Sequence, residues 1–171
     1  MAYTFYTAIK GKKQGQFKSN SKQEKRKDKW IEGLSYFHEV KSPRDIATGQ
    51  ASGKRQHLSI TFAAEWGPQT PQILQALCTN EVLPEVEFNF VKTNENGEEY
   101  VYHKIKLTDA TVSNAKYSTG SAAGEGASTS KHTGQHDTHE LETISLSYRK
   151  IEMENIDGKT MMLDDWHLQG G

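Results

Sequence analysis

The chain has 171 residues, 34% hydrophobic and 25% charged, with 21 Lys and Arg against 22 Asp and Glu. That length suits one domain, residues 1–171, with a core of its own, and no apolar run approaches the roughly 18 residues that a membrane helix needs. A single cysteine, Cys78, excludes internal disulfides and fits a reducing compartment.

The N-terminus, Met1 to Tyr6, has neither a charged n-region nor an apolar stretch, so it does not read as a secretory signal peptide. Tyr3 to Lys10 instead alternates as a first strand. Gly11 to Lys29 is polar, punctuated by Gly11 and Gly15, and reads as a loop. Between Lys10 and Lys29 stand nine Lys or Arg against two acids, Glu24 and Asp28. Such a segment on an otherwise acidic chain suits nucleic acid, or a head-to-tail meeting with a second copy, or merely a solvated face.

Trp30 to Val40 is a second strand with Trp30, Leu34, Tyr36 and Val40 on one parity. Lys41 to Gln56 holds Pro43, Gly49 and Gly53 and few apolar residues; it reads as a long loop, and long loops in compact domains tend to be functional. Leu58, Ile60 and Phe62 mark a third strand. Thr70-Pro71 predicts a helix start, with Thr70 as N-cap. Ile73, Leu74, Leu77 and Cys78 then form an apolar stripe, which makes Cys78 a small core residue.

Val86, Phe88 and Phe90 mark a strand, and Val101, His103, Ile105 and Leu107 another, with the Asn-Gly hairpin signal of Asn96-Gly97 between them. Ser113 to Glu140 is rich in Gly, Ser, Ala and Thr; it cannot bury enough surface to offset its ordering entropy and is expected to be a mobile loop. His132, His136 and His139 lie in it at spacings that would gather a metal on a helix. The segment has no apolar stripe, so a polar loop without metal is expected.

Leu141 to Glu154 reads as one long strand. Ile144, Leu146 and Tyr148 share a face, and after Arg149-Lys150 the apolar set changes parity to Ile151 and Met153. A one-residue slip reverses the face, so a β-bulge or a passage between sheets sits there. Asn155 to Lys159 is a turn, and Asp164-Asp165-Trp166 follows it. The chain is therefore mainly β, a β-barrel or two-sheet sandwich with one α-helix packed against it and long loops. It carries no Walker loop, no dinucleotide fingerprint and no nucleophile elbow, so neither an enzyme nor a cofactor is expected.

Ile144-Ser145-Leu146-Ser147-Tyr148-Arg149-Lys150-Ile151-Glu152, Asp157-Gly158 and Asp164-Asp165-Trp166 resemble the ending of the hemolysin-coregulated protein family, the tube subunits of bacterial type VI secretion systems. Tyr6 to Gly11 with Gln14-Gly15, the loop Pro43 to His57, and Lys106 to Thr111 resemble the family in the same order. The resemblance implies hexameric rings that stack into a tube. It implies assembly in the cytoplasm and secretion without a signal peptide, with a sheath, a spike protein and effectors as partners.

It also implies that the loop carrying Pro43, Asp45, Gly49, Gly53, Arg55 and His57 reaches across to the neighbouring subunit. Its glycines allow sharp excursions, and Arg55 offers a forked donor to a partner carboxylate or carbonyl. Leu58 stands where the family often carries proline. Lys25, Arg26 and Lys27 are the candidates for an acidic ring face in stacking. The reading from another class is a small β-barrel that binds single-stranded nucleic acid, with Phe17 and Trp30 stacking bases beside the basic segment. The sequence pI of about 6.7 argues against it.

Overall fold

The computed structural model describes residues 4–119 and 140–165. In chain order the elements are β1 (Thr4–Gly11), β2 (Gly15–Gln16), β3 (Ile31–Phe37), β4 (Val40–Lys41), β5 (Gln56–His57), β6 (Ile60–Glu65), α1 (Gln69–Thr79), β7 (Leu83–Thr93), β8 (Glu99–Ser118), β9 (Leu141–Ser147), β10 (Lys150–Asn155) and β11 (Thr160–Asp165). Six strands close a barrel in the order β8-β7-β1-β3-β6-β9, with β9 returning to β8. β10 and β11 extend from the first half of β8, outside the closed ring of strands. Closure leaves these six strands without an open edge, and β11 remains as the edge of the extension.

Period-two alternation drives this arrangement. Ile60, Phe62 and Ala64 of β6 point inward, and Ile60 and Phe62 lie opposite the equally buried Leu146 and Ile144 of β9. Phe5, Ile9, Val86, Phe88, Ile105 and Leu107 complete the interior from β1, β7 and β8. The rings of Phe5, Tyr36, Phe62, Phe88 and Phe90 meet edge to face or tilted, with Phe88 5.2 Å from Tyr36 and 5.6 Å from Phe62. Gly33 makes room for them, since a Cβ there would lie 2.1 Å from the Phe5 ring.

β3 departs from the expected parity. Its pairing with β6 shifts between Gly33 and Ser35, so Ile31 faces inward before the shift and Tyr36 after it. Leu34 is thereby turned out, 54% exposed, and Val40 also faces solvent. Of the four residues expected on the apolar face, only Tyr36 packs against the core.

The helix begins at Gln69, before the expected Thr70 cap, and the Thr70 hydroxyl accepts a hydrogen bond from the Gly67 N–H at 3.0 Å. Its inner face is Gln69, Ile73 and Ala76. Leu74 and Cys78 are exposed, which corrects the expectation of a buried cysteine. Five residues past Ile73, Cys78 lies about 140° around the helix from it. The Asn-Gly turn joins β7 to β8 as expected, with Gly97 at φ +80°.

β8 is 20 residues long, and its last six, Ser113 to Ser118, are strand rather than the start of a mobile loop. They pair with β9, which supplies the partner that their own composition does not announce. Residues 120–139 lie outside the described residues, and with them His132, His136 and His139.

The expected parity change near Arg149 is real, and its cause is a break. β9 pairs with β6 and β8 inside the barrel, Tyr148 and Arg149 leave the ladder, and β10 resumes beside the earlier half of β8. β8 turns at the same level, with Asp109 at φ +51°. Arg149 pins the corner by donating to Asp109 at 2.9 Å and to Asp165 at 2.7 Å.

Candidate assembly site

Residues 40–57 form an arm rather than an unstructured loop. Val40 pairs with His57 and Lys41 with Gln56 in a two-stranded sheet of its own, and Arg44 bridges to Ala51. The tip closes on itself. Asp45 N–H donates to Gln50 O and Gly49 N–H to Asp45 O, both at 2.8 Å, and the Asp45 carboxylate accepts from Ala47 N–H at 2.7 Å. Gly49 takes φ +70°, which only glycine adopts without strain. Ser52 N–H donates to Pro43 O, and Gly53 sits against the Pro43 ring. The arm thus orders itself through backbone bonds, and Ile46 at its tip is fully exposed. Leu58 N–H donates to Glu39 O at 3.1 Å; a proline there would lack this donor.

The root of the arm is anchored by side chains. Arg55 reaches Asp164 of β11 with both prongs, Nε to Oδ2 at 2.5 Å and Nη2 to Oδ1. His57 lies between Asp164 Oδ2, 2.6 Å from Nε2, and the Tyr148 hydroxyl, 2.8 Å from Nδ1. His38 Nε2 meets the same hydroxyl at 2.8 Å. One assignment gives each of these three contacts a donor. His38 Nε2–H donates to Tyr148, Tyr148 O–H donates to His57 Nδ1, and His57 Nε2–H donates to Asp164. The His57 side chain is only 3% exposed, whereas Arg55 and Asp164 are 24% and 21% exposed.

The electrostatics follow from these contacts. The Arg55 fork holds the Asp164 carboxyl below its usual value, opposed by partial burial and helped by His57. Burial, then the charge of Asp164, pushes the Tyr148 phenol up. Burial, then the neighbouring His57, pushes His38 down.

The structure divides the expected site residues into two groups. Pro43, Asp45, Gly49 and Gly53 shape the arm, while Arg55 and His57 anchor it within their own subunit. Asp164, Tyr148 and His38 belong to this anchor and were not singled out for it by the sequence. Only the recurrence of Tyr148 and Asp164 in the resembling stretches pointed toward them.

The basic segment is similarly divided. Lys25 and Lys27 are exposed, and Lys27 pairs with Glu24 at 2.7 Å. Arg26 is engaged inside the subunit, with its guanidinium 3.7 Å from the centre of the Tyr6 ring and hydrogen-bonded to Gln23 and Glu99. Phe17 is wholly buried, so it is not presented to a base, which removes one support of the nucleic-acid reading.

A second surface stands out on β10–β11. β11 ends the strand order, and Met161, Met162 and Leu163 are 65%, 45% and 52% exposed on it. Apart from the Arg55–Asp164 pair, Glu152, Glu154, Asp157 and Asp165 outnumber Lys150 and Lys159 there, whereas on the arm Lys41, Arg44 and Lys54 outnumber Asp45.

Comparison with known proteins gives one consistent result. Residues 6–154 match the family model described as type VI secretion system effector, Hcp. The major exported protein of Pseudomonas aeruginosa is 30% identical over 176 aligned positions, covering 97% of this chain and 96% of that protein. A crystal structure of an Hcp protein superimposes with a TM-score of 0.80 at 27% identity, covering 96% of this chain and all of that one. A doubly substituted Hcp1 from the E. coli EAEC 042 pathovar gives 0.79 at 25% identity, covering 96% and 99%.

The depressed Asp164 value fixes a sign. A carboxyl held low in the fold contributes stability above its ordinary 3.8, and that contribution is lost as pH falls through the lower folded value. Asp164→Asn removes the charged acceptor, and the partial exposure of the pair limits the expected cost to about 1 kcal/mol near neutral pH. Denaturant unfolding of the two proteins should show this gap near neutrality and its closure in strong acid. A gap that persists unchanged in acid would contradict the assignment.

Proposed function

The chain belongs to the Hcp family of type VI secretion system proteins and is a tube subunit of that machine, and on that premise we propose that the arm is the clasp of the ring. The single observation that carries this is the arm itself, a hairpin ordered by its own backbone bonds, tied at its root by Arg55 and His57, and presenting Ile46 to solvent. A segment with no core of its own gains nothing within the subunit from exposing an isoleucine. It gains if the tip seats on another copy.

The receiving surface in this reading is the β10–β11 extension of the next subunit. It offers apolar Met161, Met162 and Leu163 to Ile46, and an acidic surround to the basic arm. Two different complementary surfaces on one subunit make a heterologous contact, which closes into a ring when the rotation fits; the family's ring is a hexamer. Stacked rings form the tube, Lys25 and Lys27 meet an acidic face of the next ring, and sheath, spike protein and effectors are its partners. Export is the fate that the family relationship indicates.

Deleting Ile46 to Lys54 should leave a folded barrel, because these residues contribute nothing to the core. Sedimentation velocity should then show subunits in place of rings, and a deletion variant that still sediments as a ring would refute the clasp.

The stacking role of the basic segment is tested by Lys25→Glu with Lys27→Glu, leaving Arg26 in place because it braces the subunit. Exposed charges are screened beyond about 8 Å at physiological salt. Tube length in electron micrographs should fall with this variant and with added salt, while rings persist. Tubes of unchanged length would remove Lys25 and Lys27 from the stacking face.

A further inference from the structure

The backbone pattern of the extension tells which main-chain groups of β11 are in use. Ile156 N–H donates to Tyr102 O at 2.9 Å, so the backbone groups of Ile156, Glu154 and Glu152 face β8. Those of Asn155, Met153 and Ile151 then face β11, where Thr160, Met162 and Asp164 stand opposite them. Met161 and Leu163 therefore turn their N–H and C=O groups away from β10. β11 ends the strand order, and among the described residues no backbone hydrogen bond reaches Met161 or Leu163 on that side.

Natural sheets blunt such an edge with lysine, proline, a bulge or a covering segment. β11 has six residues, Thr-Met-Met-Leu-Asp-Asp, with neither lysine nor proline. Its register with β10 is unbroken from Asn155–Thr160 to Lys150–Asp165, and its three central residues are apolar and exposed. The edge is open, regular and apolar, which suits the addition of another strand.

The arm carries an edge to match. Ser52 N–H donates to Pro43 O and Asp45 N–H to Gln50 O, so Pro43 and Asp45 face the other limb of the hairpin. Arg44 between them turns its N–H and C=O outward. The N–H that proline lacks is on the inner side, so Pro43 takes nothing from the outer edge. We propose that the arm joins the next copy by strand addition, with the main chain of Arg44 pairing with that of Leu163 on the open edge of β11. This rests on the clasp reading above and adds to it the mode of contact.

Side chains favour the same register. In the antiparallel direction, the more stable one, Arg44 opposite Leu163 brings Ile46 opposite Met161. Apolar Ile46 then lies against an apolar neighbour. Glu152 stands beside Leu163 on β10 and Glu154 beside Met161, so the basic Arg44 approaches an acidic face.

The test follows single amides by hydrogen exchange in assembled rings of the full chain and in the variant lacking Ile46 to Lys54. The Leu163 amide should exchange about tenfold or more slowly in rings than in the variant, while Met162, bonded to β10, is slow in both. Rings in which Leu163 exchanges as fast as in the variant would overturn strand addition and leave the clasp standing. A deletion variant that still forms rings would refute the clasp, and strand addition with it. Leu163→Pro removes the outward N–H and keeps the ladder to β10, since proline is tolerated where an edge N–H faces solvent. Compared with Leu163→Ala, it should raise the protein concentration at which rings form by about tenfold in sedimentation velocity. Equal concentrations for the two folded variants would overturn the proposal, and if Leu163→Pro fails to fold, the exchange of Leu163 in the unsubstituted rings decides it.

Discussion

The pairing of β9 with β6 on one side and β8 on the other is the constraint from which the rest follows. It closes the barrel and places Phe62, Phe88, Ile144 and Leu146 in one shielded interior. Closure also decides what is left over. Once β9 has used the second half of β8, the chain after Tyr148 finds only the first half available, and β10 and β11 build outward from there. The arm between β4 and β5 is left over in the same sense. The arm has no core and is held by charge and hydrogen bonds where it meets the barrel, whereas β10 also buries Ile151 against the barrel interior.

Asp164 joins the two projections. It sits on β11 and receives Arg55 and His57 from the arm, while Tyr148 at the barrel corner donates to His57 and accepts from His38. A small cluster at the corner therefore sets the direction of the arm relative to the β10–β11 extension. Direction matters for a closed ring because a heterologous contact must repeat at a fixed rotation, and a loosely rooted arm would not specify one.

Much of this was legible in the chain. Strict alternation located β6, β7, β9 and most of β8, because each of those strands buries the middle of one face. The parity change at Arg149 was visible as a shift from Leu146 and Tyr148 to Ile151. β3 misled because its bulge at Gly33 and Ser35 obeys the crowding around Phe5, which is set by residues distant in sequence. Cys78 misled because helical spacing gives an apolar stripe but not the rotation at which the helix docks. The end of β8 misled because Ser113 to Ser118 have little apolar content and gain their order from β9. The anchor was the least legible part. His38, Arg55, His57, Tyr148 and Asp164 are spread over 127 residues of the numbering and come together only through barrel closure. The sequence offers Arg55 as a forked donor without naming its acceptor, and within its own chain that acceptor is Asp164.

The central claim is that the arm of one subunit seats on the β10–β11 extension of the next. Zero-length carbodiimide coupling on rings assembled from equal parts of isotopically light and heavy protein tests it directly. Links between Lys41 or Lys54 of the arm and Glu152 or Glu154 should be found joining light chains to heavy ones. Links from these lysines confined to single chains, or joining different chains only through other surfaces, would contradict it.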